Sequence, residues 1–175
     1  SPVPVVVAPF GLTLGGGCEM CLHAPAVQAA AETYTGLVEL GVGLIPGGGG
    51  SKEMALHISD QLQEGEIGLP VLRENFLTIG MAKVSTSAAE AFRMGIFKAG
   101  KDHITMNRRR LIADAKAKAI SMAEQGYVPP AYRKNVKVFG RSGLGMIYAG
   151  ANSMRTGNFI SEYDEHLSKK LGWIL

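Results

Sequence analysis

Apolar positions along the chain fall into two regimes. Near the start they form short unbroken runs: Pro4 to Ala8, "PVVVA", is valine-rich and bounded by prolines, as a buried strand would be. Ala26 to Ala30 is a second, weaker strand candidate, and Gly17 to Leu22 between them reads as a short helix. From residue 51 onward the spacing turns helical. Ser51 predicts an N-cap for a helix carrying Met54, Ala55 and Leu56 inward, and Pro70 suits the first turn of another holding Val71, Leu72, Phe76 and Leu77. Ser87-Ala88-Ala89-Glu90 matches a capping box, with Gly95 stopping the short helix that follows. A longer helix is predicted from Asn107 to Gln125, with Leu111, Ile112, Ala115, Ala119 and Met122 on its apolar side and Gly126 ending it. Pro129-Pro130 marks a linker. Beyond it come a small-residue helix, Leu144 to Met154, and a last helix capped by Ser161 to Asp164 with Tyr163, Leu167, Leu171 and Ile174 at turn spacing. The class is α/β: a few strands with glycine-rich corners, then a mostly helical second half.

Composition narrows the function classes. The 175 residues are 46% hydrophobic, enough for a core, and by length alone make one domain. Pro2, Pro4, Pro9 and Gly11 break the first apolar run, so neither a signal peptide nor a membrane span is expected. A net charge of +3 is mild, and the one dense basic run, Arg108-Arg109-Arg110, has no interleaved aromatics to stack on bases, so nucleic acid is not an expected partner. Two cysteines three positions apart form no disulfide framework, which fits a reducing, cytoplasmic compartment. The chain opens on Ser1-Pro2 and runs directly into a strand-like segment, as a chain cut from something larger would.

Eleven of the 23 glycines fall between Gly11 and Gly50, so the unusual backbone is confined to that stretch. Phosphate loops fail on spacing. The dinucleotide pattern G-x-G-x-x-G meets Met20 and Pro46 where its last glycine should be, and "GGGGSKEM" has Ser51 where a triphosphate loop needs glycine before its lysine. Cys18 and Cys21 would share a helix side, but no second ligand pair with zinc spacing exists, so two packed apolar side chains is the simpler reading. His23, His57, His103 and His166 are scattered through unrelated segments.

The carboxylates differ. Glu19 lies one turn into a short helix that opens on glycines, and Glu39 stands twenty positions later in "GLVELGVGLIPGGGG"; both settings are expected to be buried. Burial raises a carboxyl's pKa, which suits proton transfer near neutral pH, and two acids in unlike surroundings can divide acid and base roles. The bare amides of Gly15, Gly16 and Gly17 at a helix start can meet developing negative charge. On chemistry alone, a plain helix start with a favourable first-turn glutamate and an unrelated loop acid is an equal reading.

The same residues carry a resemblance. Pro4 to Ala8, then Gly11 to Glu19 matching G-x-x-L-G-G-G-x-E, then Val38 to Gly50 matching (P/V)-E-x-x-x-G-x-x-P-G-x-G-G, resemble the crotonase superfamily of enoyl-CoA hydratases and isomerases. "STSAAEAFRMGIFKAG" and the helix after it resemble the family's following segments, so the likeness covers residues 1–126 as the C-terminal half of a crotonase core, with residues 127–175 as a helical tail for assembly or as a lid. "LGGGCEM", "AAAETYTGLVELGVGLIPGGGG" and "GMIYAGANSMRTGNFISEYDEHLSKKL" are similar to the crotonase-type region of bacterial bifunctional 3-hydroxyacyl-CoA dehydrogenases of fatty-acid β-oxidation.

The resemblance implies the C-terminal portion of the family's spiral fold. It also implies an oxyanion donor at the Gly16 amide, a water-activating Glu19, an α-proton-exchanging Glu39, and substrate contacts from Gly15, Gly17, Gly41, Pro46 and Gly47. The substrate would be a coenzyme A thioester with no metal or redox cofactor, NAD belonging only to a dehydrogenase region outside this chain. Having both acids favours hydratase over isomerase. The family's N-terminal half, which supplies the second oxyanion donor, is expected to lie before Ser1, leaving this chain alone weakly active or inactive. Partners implied are a homo-oligomer or the missing half, and a CoA phosphate or a neighbouring subunit for Arg108 to Arg110, beside the simpler reading of a solvated basic face. His23-Ala24-Pro25 departs from the family's usual aspartate after a histidine or cysteine. The competing function is a non-catalytic acyl-CoA-binding or assembly module beside an NAD-dependent dehydrogenase.

Overall fold

In the computed structural model, residues 1–63 and 65–175 are described. The chain divides into two compact units, residues 1–36 with 84–134 and residues 37–83 with 135–175.

The first unit holds all the strands found among the described residues. β1 (Val6–Val7), β3 (Ala26–Ala30) and β5 (His103–Thr105) form one parallel sheet in the order β1-β3-β5, and β2 (Gly11–Leu14) pairs in parallel with β4 (Thr33–Gly36) in a second. Successive strands therefore alternate between sheets. The registers are Val6 with Ala26, Gln28 with His103, and Gly11 with Thr33. Every residue of β3 is buried, as a central parallel strand requires. The first strand is shorter than its valine run: Pro4 and Pro9 offer no ladder N–H, and Val5 remains exposed.

Buried threonines and serines fix the corners where the chain changes sheets. Thr33 Oγ1 donates to the carbonyls of Ala30 (2.7 Å) and Pro9 (3.1 Å), while the Thr35 and Ser85 backbones are joined by the Ser85 N–H to Thr35 O bond (2.9 Å). α1 (Gly16–His23) bridges β2 and β3. α4 (Ala88–Arg93) is capped by Ser87, whose hydroxyl accepts the Glu90 N–H. The other half of the expected capping box is displaced by one residue: the Glu90 carboxylate takes the N–H and hydroxyl of Thr86 instead.

The predicted helix from Asn107 begins as a 3₁₀ turn, Arg108–Arg110, capped by the Asn107 side chain, and becomes α-helical only as α5 (Leu111–Glu124). Leu111 and Ala115 are buried there, but Ile112 is 71% exposed, because its position lies a full 100° from the Leu111 stripe. The basic run is partly engaged: Arg108 lies over the Phe10 ring at 4.3 Å and Arg110 pairs with Asp114 at 3.2 Å.

The second unit is helical. A 3₁₀ turn (Glu39–Val42) precedes α2 (Gly50–Gln61), α3 (Leu69–Gly80), α6 (Gly140–Thr156) and α7 (Glu162–Ile174). Ser51 is not the N-cap expected of it. Gly49, with φ at +99°, takes that position, and the Ser51 hydroxyl inside the first turn donates to the Pro46 carbonyl (3.4 Å). Met54 and Ile58 form the buried face of α2, with Ala55 and Leu56 half-buried. α3 buries Leu72 and Ile79 most deeply, leaving Val71, Phe76 and Leu77 half-buried.

α7 starts with the full capping box of Ser161 and Asp164, buries Leu167 and Leu171, and leaves Tyr163 and Ile174 exposed. Tyr163 instead donates its hydroxyl to the Gly43 carbonyl (3.1 Å). α6 and α7 are clamped by Glu165, which accepts from Arg155 (2.5 Å) and Lys169 (2.8 Å). Among the described residues no helix is long and apolar enough to cross a membrane.

Candidate active site

The turn from β2 into α1 sets the first group of candidate residues. Gly15 adopts φ +54°, ψ −120°, a combination that side chains rarely tolerate, and so lets an extended strand become a helix within one residue. Two bonds hold it there: its N–H donates to Gly36 O (2.9 Å), and its carbonyl accepts the Glu19 N–H (2.9 Å).

Gly16 is then the first helical residue, so its N–H has no acceptor within α1. The residue is exposed, and nothing stands within 4 Å of where a Cβ would project. Gly17 is tighter, since a Cβ there would meet Thr13 Cγ2 at 3.2 Å. Glu19, in the first helical turn, is only 7% exposed. One short turn thus presents an open backbone amide and sequesters a carboxylate that the helix dipole favours.

Cys18 and Cys21 face the core at 0% and 1% exposure. Burial foremost, then the nearby Cys18 and Asp102, pushes the Cys21 thiol up to about 12, which makes it a poor nucleophile near neutral pH. Asp102, at 4% exposure, accepts the N–H of Val27 and of Lys98, both at 2.8 Å, tying β3 to the turn before β5. It supports the strand that leaves α1. Nothing in the pattern around "KAGKDHI" singled it out, because an aspartate two positions after a glycine, between charged and polar neighbours, reads equally well as a surface turn.

The second group lies in the other unit. Glu39 opens the 3₁₀ turn; the residue as a whole is half-buried, and its carboxylate Oε2 is buried, as expected of it. Gly41 and Val42 in the same turn are exposed. Gly41 has no room to spare, a Cβ there falling 3.3 Å from Ala82 Cβ. Pro46 is buried and Gly47 exposed. Gly15, Gly16, Gly17 and Glu19 are thus gathered on one corner of the first unit, and Glu39, Gly41, Pro46 and Gly47 on one loop of the second.

No protein-family model matches the chain. It is 47% identical, over all 175 residues, to a Bacillus subtilis protein named "Probable 3-hydroxyacyl-CoA dehydrogenase", of whose length it spans 22%. It is 51% identical over 49 residues (28% of this chain, 7% of the other) to the fatty acid oxidation complex subunit alpha of Pseudomonas syringae pv. syringae. The crystal structure of the enoyl-CoA hydratase from Bacillus anthracis superposes with a TM-score of 0.54 at 23% identity, covering 98% of this chain and 53% of that one. The alternating parallel strands and this superposition give the chain the fold of part of an enoyl-CoA hydratase, while its sequence is similar to a stretch of 3-hydroxyacyl-CoA dehydrogenase and fatty acid oxidation proteins.

Proposed function

We propose that the chain supplies the acid and base for hydration of a 2-enoyl-CoA thioester, within a protein of fatty-acid β-oxidation that also carries a 3-hydroxyacyl-CoA dehydrogenase region. The observation that carries this reading is the corner from Gly15 to Glu19, an open amide and a sequestered carboxylate on one turn. The relatives' names support the metabolic setting.

The chemistry follows from the roles. A water oxygen bonds to the β-carbon as Glu19 accepts one of its protons. The π pair moves toward the thioester, whose oxygen gains the charge that the Gly16 N–H stabilises, and the Glu39 carboxyl delivers a proton to the α-carbon. Water is added across the double bond, so no electron acceptor is required; NAD would serve only the dehydrogenase region. One oxyanion donor contributes about 3 kcal/mol, and each acid or base roughly 10²–10⁴ in rate. Gly15, Gly17, Gly41, Pro46 and Gly47 shape the backbone around the thioester. Residues 127–175 cover the acyl group or meet a second subunit, for which Trp173 (72% exposed) and Ile174 (45%) offer apolar surface.

The test uses the complete protein that contains these residues. Glu19→Gln lowers the rate of crotonyl-CoA hydration by about 10² or more while the protein stays folded. Hydration at the unaltered rate refutes the role of Glu19 and leaves the module non-catalytic.

A further inference from the structure

The helix α5 treats its charged side chains differently on its two sides. Toward the sheet, where it packs on β1 and β3, Asp114 holds Arg110 (3.2 Å) and accepts from Thr105 Oγ1 (2.9 Å), and Lys118 Nζ lies 3.0 Å from His103 Nε2. On the other side, seven residues of α5 are exposed. Five of them are apolar, Ile112, Ala113, Ala117, Ile120 and Ala123, with Ile112 at 71% and Ile120 at 47% exposure. At 100° per residue all seven fall within an arc of about 140°. A surface helix that buries one apolar stripe on its own sheet ordinarily turns polar residues outward. Here a second apolar stripe faces solvent.

The other two exposed residues are Lys116 and Glu124, and neither has an ion-pair or hydrogen-bond partner among the described residues. Eight residues apart, they are separated by about 12 Å along the axis, too far to pair with each other. A second copy of the helix, laid antiparallel about a twofold axis at Ile120, satisfies both. Ile120 then packs on the partner's Ile120, Ala117 on the partner's Ala123, and Lys116 meets the partner's Glu124, because each pair is spaced equally about position 120. Parallel pairing in register would instead set lysine on lysine. The alanines let the two axes approach to about 8 Å, the close end of the usual range. We infer that α5 is a self-recognition surface, through which two copies of this chain associate isologously with their α5 helices antiparallel. This inference is independent of the hydration reading, and the surface belongs to the first unit, not to the helical tail. One helix face buries less than the ~800 Å² per partner of a standard interface, so the dissociation constant is on the order of 10–100 μM.

Sedimentation velocity of the complete protein, over concentrations spanning that constant, follows the association. Lys116→Glu sets two carboxylates against each other at both ends of the helix pair and weakens it about tenfold; Glu124→Lys does the same with two ammonium groups. Lys116→Glu and Glu124→Lys in one chain restore the opposite-charge pairs and bring the constant back to within about twofold of the unaltered protein. Ile120→Cys places a thiol on the twofold axis, within reach of its counterpart, so mild oxidation joins two chains. Ala113→Cys stands about 20 Å from its counterpart and stays unjoined. Cys18 and Cys21, at 0% and 1% exposure, do not compete.

Association that the single reversals leave unchanged, as a contact through the helical tail alone would give, overturns the inference. A monomer at every concentration, as an unlike partner on this face would give, overturns it too. Failure of the double variant, shown by circular dichroism to be folded, to recover the association does so whatever the cross-linking shows. Equal oxidation of Ile120→Cys and Ala113→Cys is equally fatal to the proposed axis.

Discussion

Replacing Gly15 and Gly16 one at a time by alanine separates what the corner does for the fold from what it does for chemistry. At Gly15 the backbone is held at φ +54°, ψ −120° by bonds to Gly36 O and from the Glu19 N–H, so alanine cannot relax without losing one of them. Sparsely populated backbone of this kind costs of order 1–3 kcal/mol for a side chain, offset by about 0.4–1 kcal/mol from the stiffer unfolded chain. The net loss is about 1–2 kcal/mol. Gly16 has neither constraint: its φ is not positive and nothing lies within 4 Å of an added Cβ. Alanine there gains roughly 0.4–1 kcal/mol from the unfolded state. Urea unfolding followed by circular dichroism therefore ranks Gly16→Ala above the unaltered chain and Gly15→Ala below it, a spread of about 2 kcal/mol. In the complete protein both variants lose hydration, because the first moves the Gly16 amide and the second places a methyl group beside it. Equal stability of the two variants would refute the claim that backbone geometry, and not generic glycine tolerance, shapes this turn.

Other consequences are as direct. Asp102→Ala strands the buried Val27 N–H, at about 1–3 kcal/mol, and the part-buried Lys98 N–H at less, while Asp102→Asn keeps one acceptor and loses less; the difference is read by denaturant unfolding. The Cys21 thiol, raised to about 12, stays unalkylated by iodoacetamide at neutral pH in the native protein and reacts once denatured, as mass spectrometry of the labelled peptide will report. Glu165 is held below the usual carboxylate range, first by its hydrogen bond from Lys169. A depressed folded-state value means that its contribution is complete above the unfolded value near 4.5 and is lost as pH falls through the lower folded value. Glu165→Gln therefore flattens the acid limb of the stability profile, measured by unfolding at a series of pH values.

Local signals served well where one residue decides the geometry. Pro70 in the first turn of α3, the Ser161 box at α7 and the glycines around α1 each act through their own backbone, so sequence suffices to find them. The errors arose where neighbours compete. Ser51 lost its cap to Gly49, whose left-handed backbone turns the chain two residues earlier, and the valine run yielded a two-residue strand between prolines. Ile112 could not be told from its helix neighbours by hydrophobicity alone, since exposure depends on which stripe packs. For the site, the motif spacing proposed Gly16, Glu19 and Glu39, and the structure sets Gly16 and Glu19 on one turn of the first unit and Glu39 on a loop of the second. Asp102 was not singled out, because the strand it ties down lies far away in sequence.

The proposed division of labour between the two glutamates is tested most directly by proton exchange. On the proposed reading hydration needs both groups, whereas exchange of the α-proton of an acyl-CoA with solvent needs only the one facing the α-carbon. In the complete protein, incubated with 3-hydroxybutyryl-CoA or butyryl-CoA in deuterium oxide, Glu19→Gln is predicted to lose hydration yet still incorporate α-deuterium, and Glu39→Gln to lose both. Deuterium incorporation by Glu39→Gln at the unaltered rate would contradict the account.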